Sequence, residues 1–188
     1  MIEITNLTKS FGEKVVLNSF NATFKQGVTC IMGESGIGKT TLVNLILGLV
    51  KPDSGEIKGT EGRVVSCVFQ ENRLIEQLSA VKNVMLVCDK SKKAEVETLL
   101  CQMGLEDSLC CPVSTLSGGM KRRVAIVRAI INPADIYIFD EPFKELDDAR
   151  KDKVIEIIKQ HTQSAVTIFI THDVNDAKAM GGKIIKMK

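Results

Sequence analysis

Apolar positions along the chain follow two different periods. Runs rich in β-branched and other apolar residues predict strands over residues 2–7, 15–24, 28–32, 64–69, 136–139, 166–170 and 183–187. Helical spacing of apolar positions predicts helices over residues 39–48, 92–103, 118–131, 147–161 and 174–180. Strands and helices alternate late in the chain, which implies a mostly parallel α/β core. The first strands follow one another with no helix between them, which implies an antiparallel β edge. Residues 72–115 hold several helical pieces and little strand character. They are read as a small helical subdomain inserted into an α/β core made of residues 1–71 and 116–188. The whole is one domain, with no internal repeat or low-complexity segment.

Composition narrows the class. The 188 residues are 44% hydrophobic, enough for a sizeable core, and the formal net charge of +2 does not call for a polyanionic partner. Aromatics are sparse, with no Trp and a single Tyr, so neither a platform for stacking nucleic-acid bases nor a direct nucleic-acid partner is expected. The most apolar stretch, residues 42–50 with Asn44 inside it, is far short of the ~20 residues a spanning helix needs. The start, MIEITNLTKSFGEK, has no apolar h-region, so it is not read as a signal peptide. A cytoplasmic chain is expected, and any membrane role needs a separate membrane partner. The six cysteines (Cys30, Cys67, Cys88, Cys101, Cys110 and Cys111) form no C-x-x-C pair and are read as reduced, mostly buried small hydrophobes.

The sharpest motif is Gly33-Glu34-Ser35-Gly36-Ile37-Gly38-Lys39-Thr40, which fits G-x-x-x-x-G-K-[ST] between a predicted strand and a predicted helix. Glycines let the backbone curl so that successive N–H groups point at phosphate oxygens, and the helix N-terminus adds its positive end. Lys39 is suited to the β- and γ-phosphates of a nucleotide, the Thr40 hydroxyl to Mg²⁺, and Thr41 stands beside them. Far down the chain, Tyr137-Ile138-Phe139-Asp140-Glu141 is an apolar strand ending in two carboxylates. Asp140 is a candidate Mg²⁺ holder, and Glu141 a candidate base for an attacking water. His172 follows the strand over residues 166–170, at the end where open α/β sheets build their sites. It is a candidate for the γ-phosphate and for holding Glu141. Gln70 ends the strand over residues 64–69 and is a candidate for Mg²⁺ or the water, against the plain reading of a turn residue.

Leu116-Ser117-Gly118-Gly119-Met120 precedes a basic amphipathic helix. It is a second helix N-terminus made of small residues with a hydroxyl, suited to a phosphate or, more plainly, an N-cap at Ser117. One nucleotide does not need two cradles. The economical reading has two chains facing each other, each capping the other's nucleotide.

With these residues in this order, the sequence resembles an ABC ATPase nucleotide-binding domain. The order is Phe11, Gly33–Thr40, Gln70, Leu116–Gly119, Tyr137–Glu141, Leu146-Asp147 and His172, and it covers almost the whole chain. The resemblance implies a P-loop NTPase fold, ATP and Mg²⁺ as cofactors, and ATP hydrolysis. It also implies a second ATPase subunit, membrane-spanning transporter subunits at the cytoplasmic face and, for an importer, a solute-binding protein. By resemblance, Phe11 stacks on adenine, Ser117, Gly118 and Gly119 bind the ATP held by the opposite subunit, and Asp147 communicates between sites. Residues 70–84 resemble ATPase subunits of importers for oxyanions and sulfonates.

Three departures stand out. Met120 replaces the usual Gln, Phe143-Lys144-Glu145 replaces small residues, and the chain and its helical insert are short. The rival readings are a P-loop small-molecule kinase, a soluble ABC ATPase working on nucleic acid or ribosomes, and a silent partner in a heterodimer.

Overall fold

Alternation, broken by a bulge between Ile4 and Leu7, makes the first sheet. In the computed structural model, which describes residues 1–187, strand β1 (Ile2–Phe11) turns Ile2, Ile4 and Leu7 inward and Glu3 and Asn6 outward. Strand β2 (Lys14–Phe24) pairs with it antiparallel, Ile2 opposite Phe24 and Phe11 opposite Lys14. The register slips between Ile4 and Leu7, where Asn6 takes a positive φ of 49°. On the other side of β1 lies β4 (Ser54–Lys58), with Glu3 opposite Lys58 and Ile4 opposite Ile57. The resulting order is β2-β1-β4. The sequence reading missed β4. Its residues, Ser-Gly-Glu-Ile-Lys, are mostly exposed, and an edge strand with one apolar residue carries no alternation to detect.

The second sheet has five strands in the order β5-β6-β7-β3-β8. These are β3 (Gly27–Met32), β5 (Val65–Val68), β6 (Ile136–Asp140), β7 (Val166–Thr171) and β8 (Lys183–Lys186). β6 with β7, β7 with β3 and β3 with β8 all pair parallel. Every residue of β6 and β7 is buried, as expected of parallel strands covered on both faces. Helix α1 (Lys39–Ile46) packs near β6, and α6 (Val174–Met180) lies against β7 and β3. The antiparallel edge and the parallel core both appear as expected.

By contact density the chain divides into two compact units. The first comprises residues 1–66, 134–140 and those from Thr162 on, and contains both sheets apart from the end of β5, together with α1 and α6. The second comprises residues 67–133 and 141–161. It holds α2 (Ala80–Met85), α3 (Lys93–Gln102), α4 (Gly118–Ile130) and, except for its last residue, α5 (Asp148–Thr162). Its core includes Val84, Val96, Leu100, Val124 and Ile126, all fully buried. Helix α2, unrecognised in sequence, is two turns long with Ser79 as N-cap, its hydroxyl accepting from Lys82 N at 3.2 Å.

The cysteines differ from expectation. All six are free thiols, but only Cys30 is buried, while Cys101 and Cys110 are exposed. Cys101 lies on the outer face of α3, and Cys110 lies in a surface turn, so apolar character did not translate into burial. Burial pushes the Cys30 thiol up to about 11, which keeps it protonated and unreactive near neutral pH.

The two-sided burial of β7 gives a direct test. Ile168 has no exposed surface, so Ile168→Ala is expected to destabilise the protein by about 2–5 kcal/mol in urea unfolding. Val15→Ala, at a side chain 57% exposed, should change stability by less than about 0.5 kcal/mol.

Candidate active site

In the first unit, β3 ends at Met32 and α1 begins at Lys39, so the six residues between them form the glycine loop. Gly36 and Gly38 have φ of 82° and 109°, which L side chains rarely adopt. A Cβ on Gly38 would also lie 2.8 Å from Val16 Cγ1, so the chain here needs glycine twice over. Helix α1 has no side-chain cap and no acidic residue in its first turn. Its first N–H groups therefore have no local anion, and the helix dipole favours one from outside. Lys39 is 8% exposed and folds back over the loop, its Nζ donating to Gly33 O at 2.8 Å and Glu34 O at 2.9 Å.

The buried strand β6 brings Asp140 to the same place. Asp140 stands level with Ile170 of β7, which in turn faces Ile31 of β3. The carboxylate is 2% exposed, and its Oδ2 accepts from Thr40 Oγ1 at 3.1 Å across 100 residues of sequence. An ionisable oxygen and a hydroxyl oxygen held together are hard donors of the kind Mg²⁺ takes. His172 follows the last residue of β7 and is exposed. Phe11 ends β1 and is 52% exposed, with Lys9 Nζ 5.4 Å from its ring centroid, so it is not a core residue.

In the second unit, Gln70 is exposed just past the end of β5. Glu141 is half-buried and holds a φ of 50°, the left-handed region that non-glycine residues avoid. Ser117 caps α4, its hydroxyl accepting from Met120 N at 3.3 Å. Gly118 and Gly119 follow with no room for side chains. A Cβ on Gly118 would strike the Glu145 carboxylate, and one on Gly119 would lie 2.5 Å from Glu145 O. Asp147 is exposed and accepts from Arg150 N at 3.0 Å.

Two participants escaped the sequence reading. Arg122, on the basic stretch of α4, is 2% exposed and donates to Glu141 O at 2.7 Å and to Phe69 O at 2.5 Å. Glu145, noted only as a departure, packs over the Ser117–Gly119 turn. A run of Lys and Arg in an amphipathic helix reads as a solvated face, and no sequence signal separated Arg122 from it.

Comparison with known proteins fixes the family. The model of the ABC transporter family matches residues 17–144. The ergothioneine transport ATP-binding protein EgtV of Helicobacter pylori (strain G27) is 32% identical over all of this chain and 97% of its own length. The aliphatic sulfonates import ATP-binding protein SsuB 2 of Pseudomonas syringae pv. syringae (strain B728a) is 34% identical over 98% of this chain and 68% of its own length. The spermidine/putrescine import ATP-binding protein PotA of Fusobacterium nucleatum is 37% identical over 99% of this chain, which spans 54% of that relative's length. Among solved structures, the dimeric post-hydrolysis state of the ATP-binding cassette MJ0796 bound to ADP and Pi superposes with a TM-score of 0.89. The match has 30% identity and covers 100% of this chain and 94% of that one. This chain therefore belongs to the ABC transporter family, as one of its ATP-binding and ATP-hydrolysing subunits.

Proposed function

We propose that the chain powers a membrane importer, two such subunits closing over two ATP molecules at the cytoplasmic face of separate membrane-spanning subunits. The observation that carries the nucleotide part is the uncapped start of α1 behind a glycine loop, with Lys39 and the Thr40–Asp140 pair beside it. The dimeric MJ0796 cassette supports the two-subunit arrangement, and the names of the reported relatives support transport. They name ergothioneine, polyamines and sulfonates, so the cassette is a motor used with differing cargo, and the cargo is chosen by its partners. No helix among the described residues is long and apolar enough to cross a membrane, and in this reading the pathway for solute lies in those partners. Family membership sets aside the small-molecule kinase.

The residues divide the work by chemistry. The backbone of Gly33, Glu34, Ser35, Gly36, Ile37 and Gly38 wraps the phosphates, with the N–H groups of Lys39, Thr40 and Thr41 at the helix start. Lys39 exchanges its two carbonyl partners for phosphate oxygens. Thr40, Asp140 and the Gln70 side chain are the residues to hold Mg²⁺, which when bound neutralises charge on the β- and γ-phosphates. Glu141 takes a proton from the attacking water, and His172 holds the γ-phosphate and steadies Glu141. Phe11 offers its exposed ring to adenine. Ser117, Gly118 and Gly119 bind the nucleotide of the facing subunit, and Asp147 links the two sites. Residues 70–84 receive a short helix of the membrane partner.

Glu141→Gln is expected to lower ATP turnover by ~10²–10⁴ while leaving ATP binding intact. Lys39→Ala is expected to weaken ATP binding itself, measured by calorimetry. Turnover unchanged in Glu141→Gln would end the assignment of the base.

The transporter reading is tested by recovering tagged Glu141→Gln protein with Mg-ATP from detergent-solubilised native cells. A polytopic membrane protein in near-equal amount is expected. Recovery of soluble or nucleic-acid-bound partners alone would overturn the transporter reading and leave the ATPase assignment standing.

A further inference from the structure

We propose that Arg122 is a positioning residue for hydrolysis, its guanidinium holding the backbone at Gln70 and the backbone at Glu141 in fixed relation. The inference rests on the roles given above to those two side chains. Arg122 lies in the second turn of α4 and is 2% exposed. Its Nη1 donates to Phe69 O at 2.5 Å, Gln70 O at 3.3 Å and Asn72 Oδ1 at 3.2 Å. From the other side of the fork, Nη2 donates to Glu141 O at 2.7 Å and Nε to Pro142 O at 3.2 Å. One planar group therefore binds two stretches of irregular backbone, and each stretch carries a residue assigned to the water or the metal.

Residues 69–72 and 141–142 lie outside regular elements, and Arg122 adds donors to the carbonyls there, Glu141 O also accepting from Lys144 N at 3.2 Å in a local turn. Glu141 is also held at a φ of 50°. A left-handed conformation at a non-glycine residue persists only when its surroundings over-determine it, and such strain gathers at reacting positions. The charge-assisted bond from Nη2 to the Glu141 carbonyl acts on that same residue. Arginine suits the task because its donors diverge in a rigid plane. A lysine head is a single point and cannot span both stretches as the fork does. Helix α4 further fixes Arg122 one turn after Gly119, so the bridge is mounted on the element that carries the Ser117–Gly119 turn.

The test compares Arg122→Lys and Arg122→Gln with the native full chain in steady-state ATP hydrolysis, ATP binding by calorimetry and thermal unfolding. Small misplacement of reacting groups costs on the order of 10²-fold in rate. The expected result is a fall in kcat of ~10- to 100-fold, with the ATP dissociation constant changed by less than about 2-fold and the fold retained. Because Arg122 acts through Glu141, the double variant Arg122→Lys, Glu141→Gln should be no slower than Glu141→Gln alone. Undiminished kcat in either folded variant overturns the proposal. So does a loss that multiplies fully with that of Glu141→Gln, an equal loss of ATP affinity, or failure of both variants to fold, which would make the residue purely structural. Normal turnover in Glu141→Gln alone would remove the reading on which the proposal rests. Slow turnover in Glu141→Gln beside normal turnover in Arg122→Lys would remove only the proposal.

Discussion

Strands β6 and β7 leave no residue exposed, and much else in the first unit follows from that burial. An apolar strand covered on both faces has no place to put a working polar group along its length. Such groups can emerge only at its end. Asp140 is the last residue of β6 and Thr171 the last of β7, and the glycine loop leaves β3 on the same rim. The parallel register, with Asp140 level with Ile170 and Ile31 on the same rung, brings those ends together. Tyr137 and Phe139 stack at 6.2 Å beneath, and the Tyr137 hydroxyl accepts from Ala134 N at 3.0 Å, which satisfies the one polar group the strand buries on that side.

The second unit solves a different problem. Long stretches of its backbone are irregular, and buried carbonyls there need donors. Side chains supply them. Asn83, fully buried, pairs with both backbone groups of Ile75 at 2.8 and 2.9 Å and reaches Leu78 O and Ser79 O as well. Arg123 donates to Met103 O and to Gly104 O, and Arg128 donates to Asn72 O and Arg73 O. Burial draws the pKa of both Arg123 and Arg128 down, yet a guanidinium begins so high that it stays charged. Three arginines of α4 thus serve the loops rather than the solvent.

The contrast explains what could be read in the sequence. The phosphate loop was legible because glycine and lysine are demanded at fixed spacings by local backbone geometry, and the flanking strand and helix have clean periods. Seven of the eight strands carry apolar runs and were found, whereas β4 escaped because its pairing rests on β1 and not on its own residues. Helix α2 escaped because six residues are too few to show a period. The family order was legible over nearly the whole chain. Arg122 and Glu145 were not, since nothing local distinguishes a buried arginine from a solvated one. Their partners lie 19 to 53 residues away for Arg122, and far along the chain for Glu145.

In the phosphate role proposed for it, Lys39 has a consequence for how tightly a nucleotide would be held. Its ammonium already has two good acceptors in the loop it belongs to. Phosphate capture at this residue is then a swap of partners, and its favourable enthalpy is the difference between two sets of charge-assisted bonds. The same swap leaves the carbonyls of Gly33 and Glu34 to find water. On that proposed role, a motor that must let go of its spent nucleotide would gain from this arrangement, because the departing phosphate would be replaced at Lys39 by the carbonyls of Gly33 and Glu34.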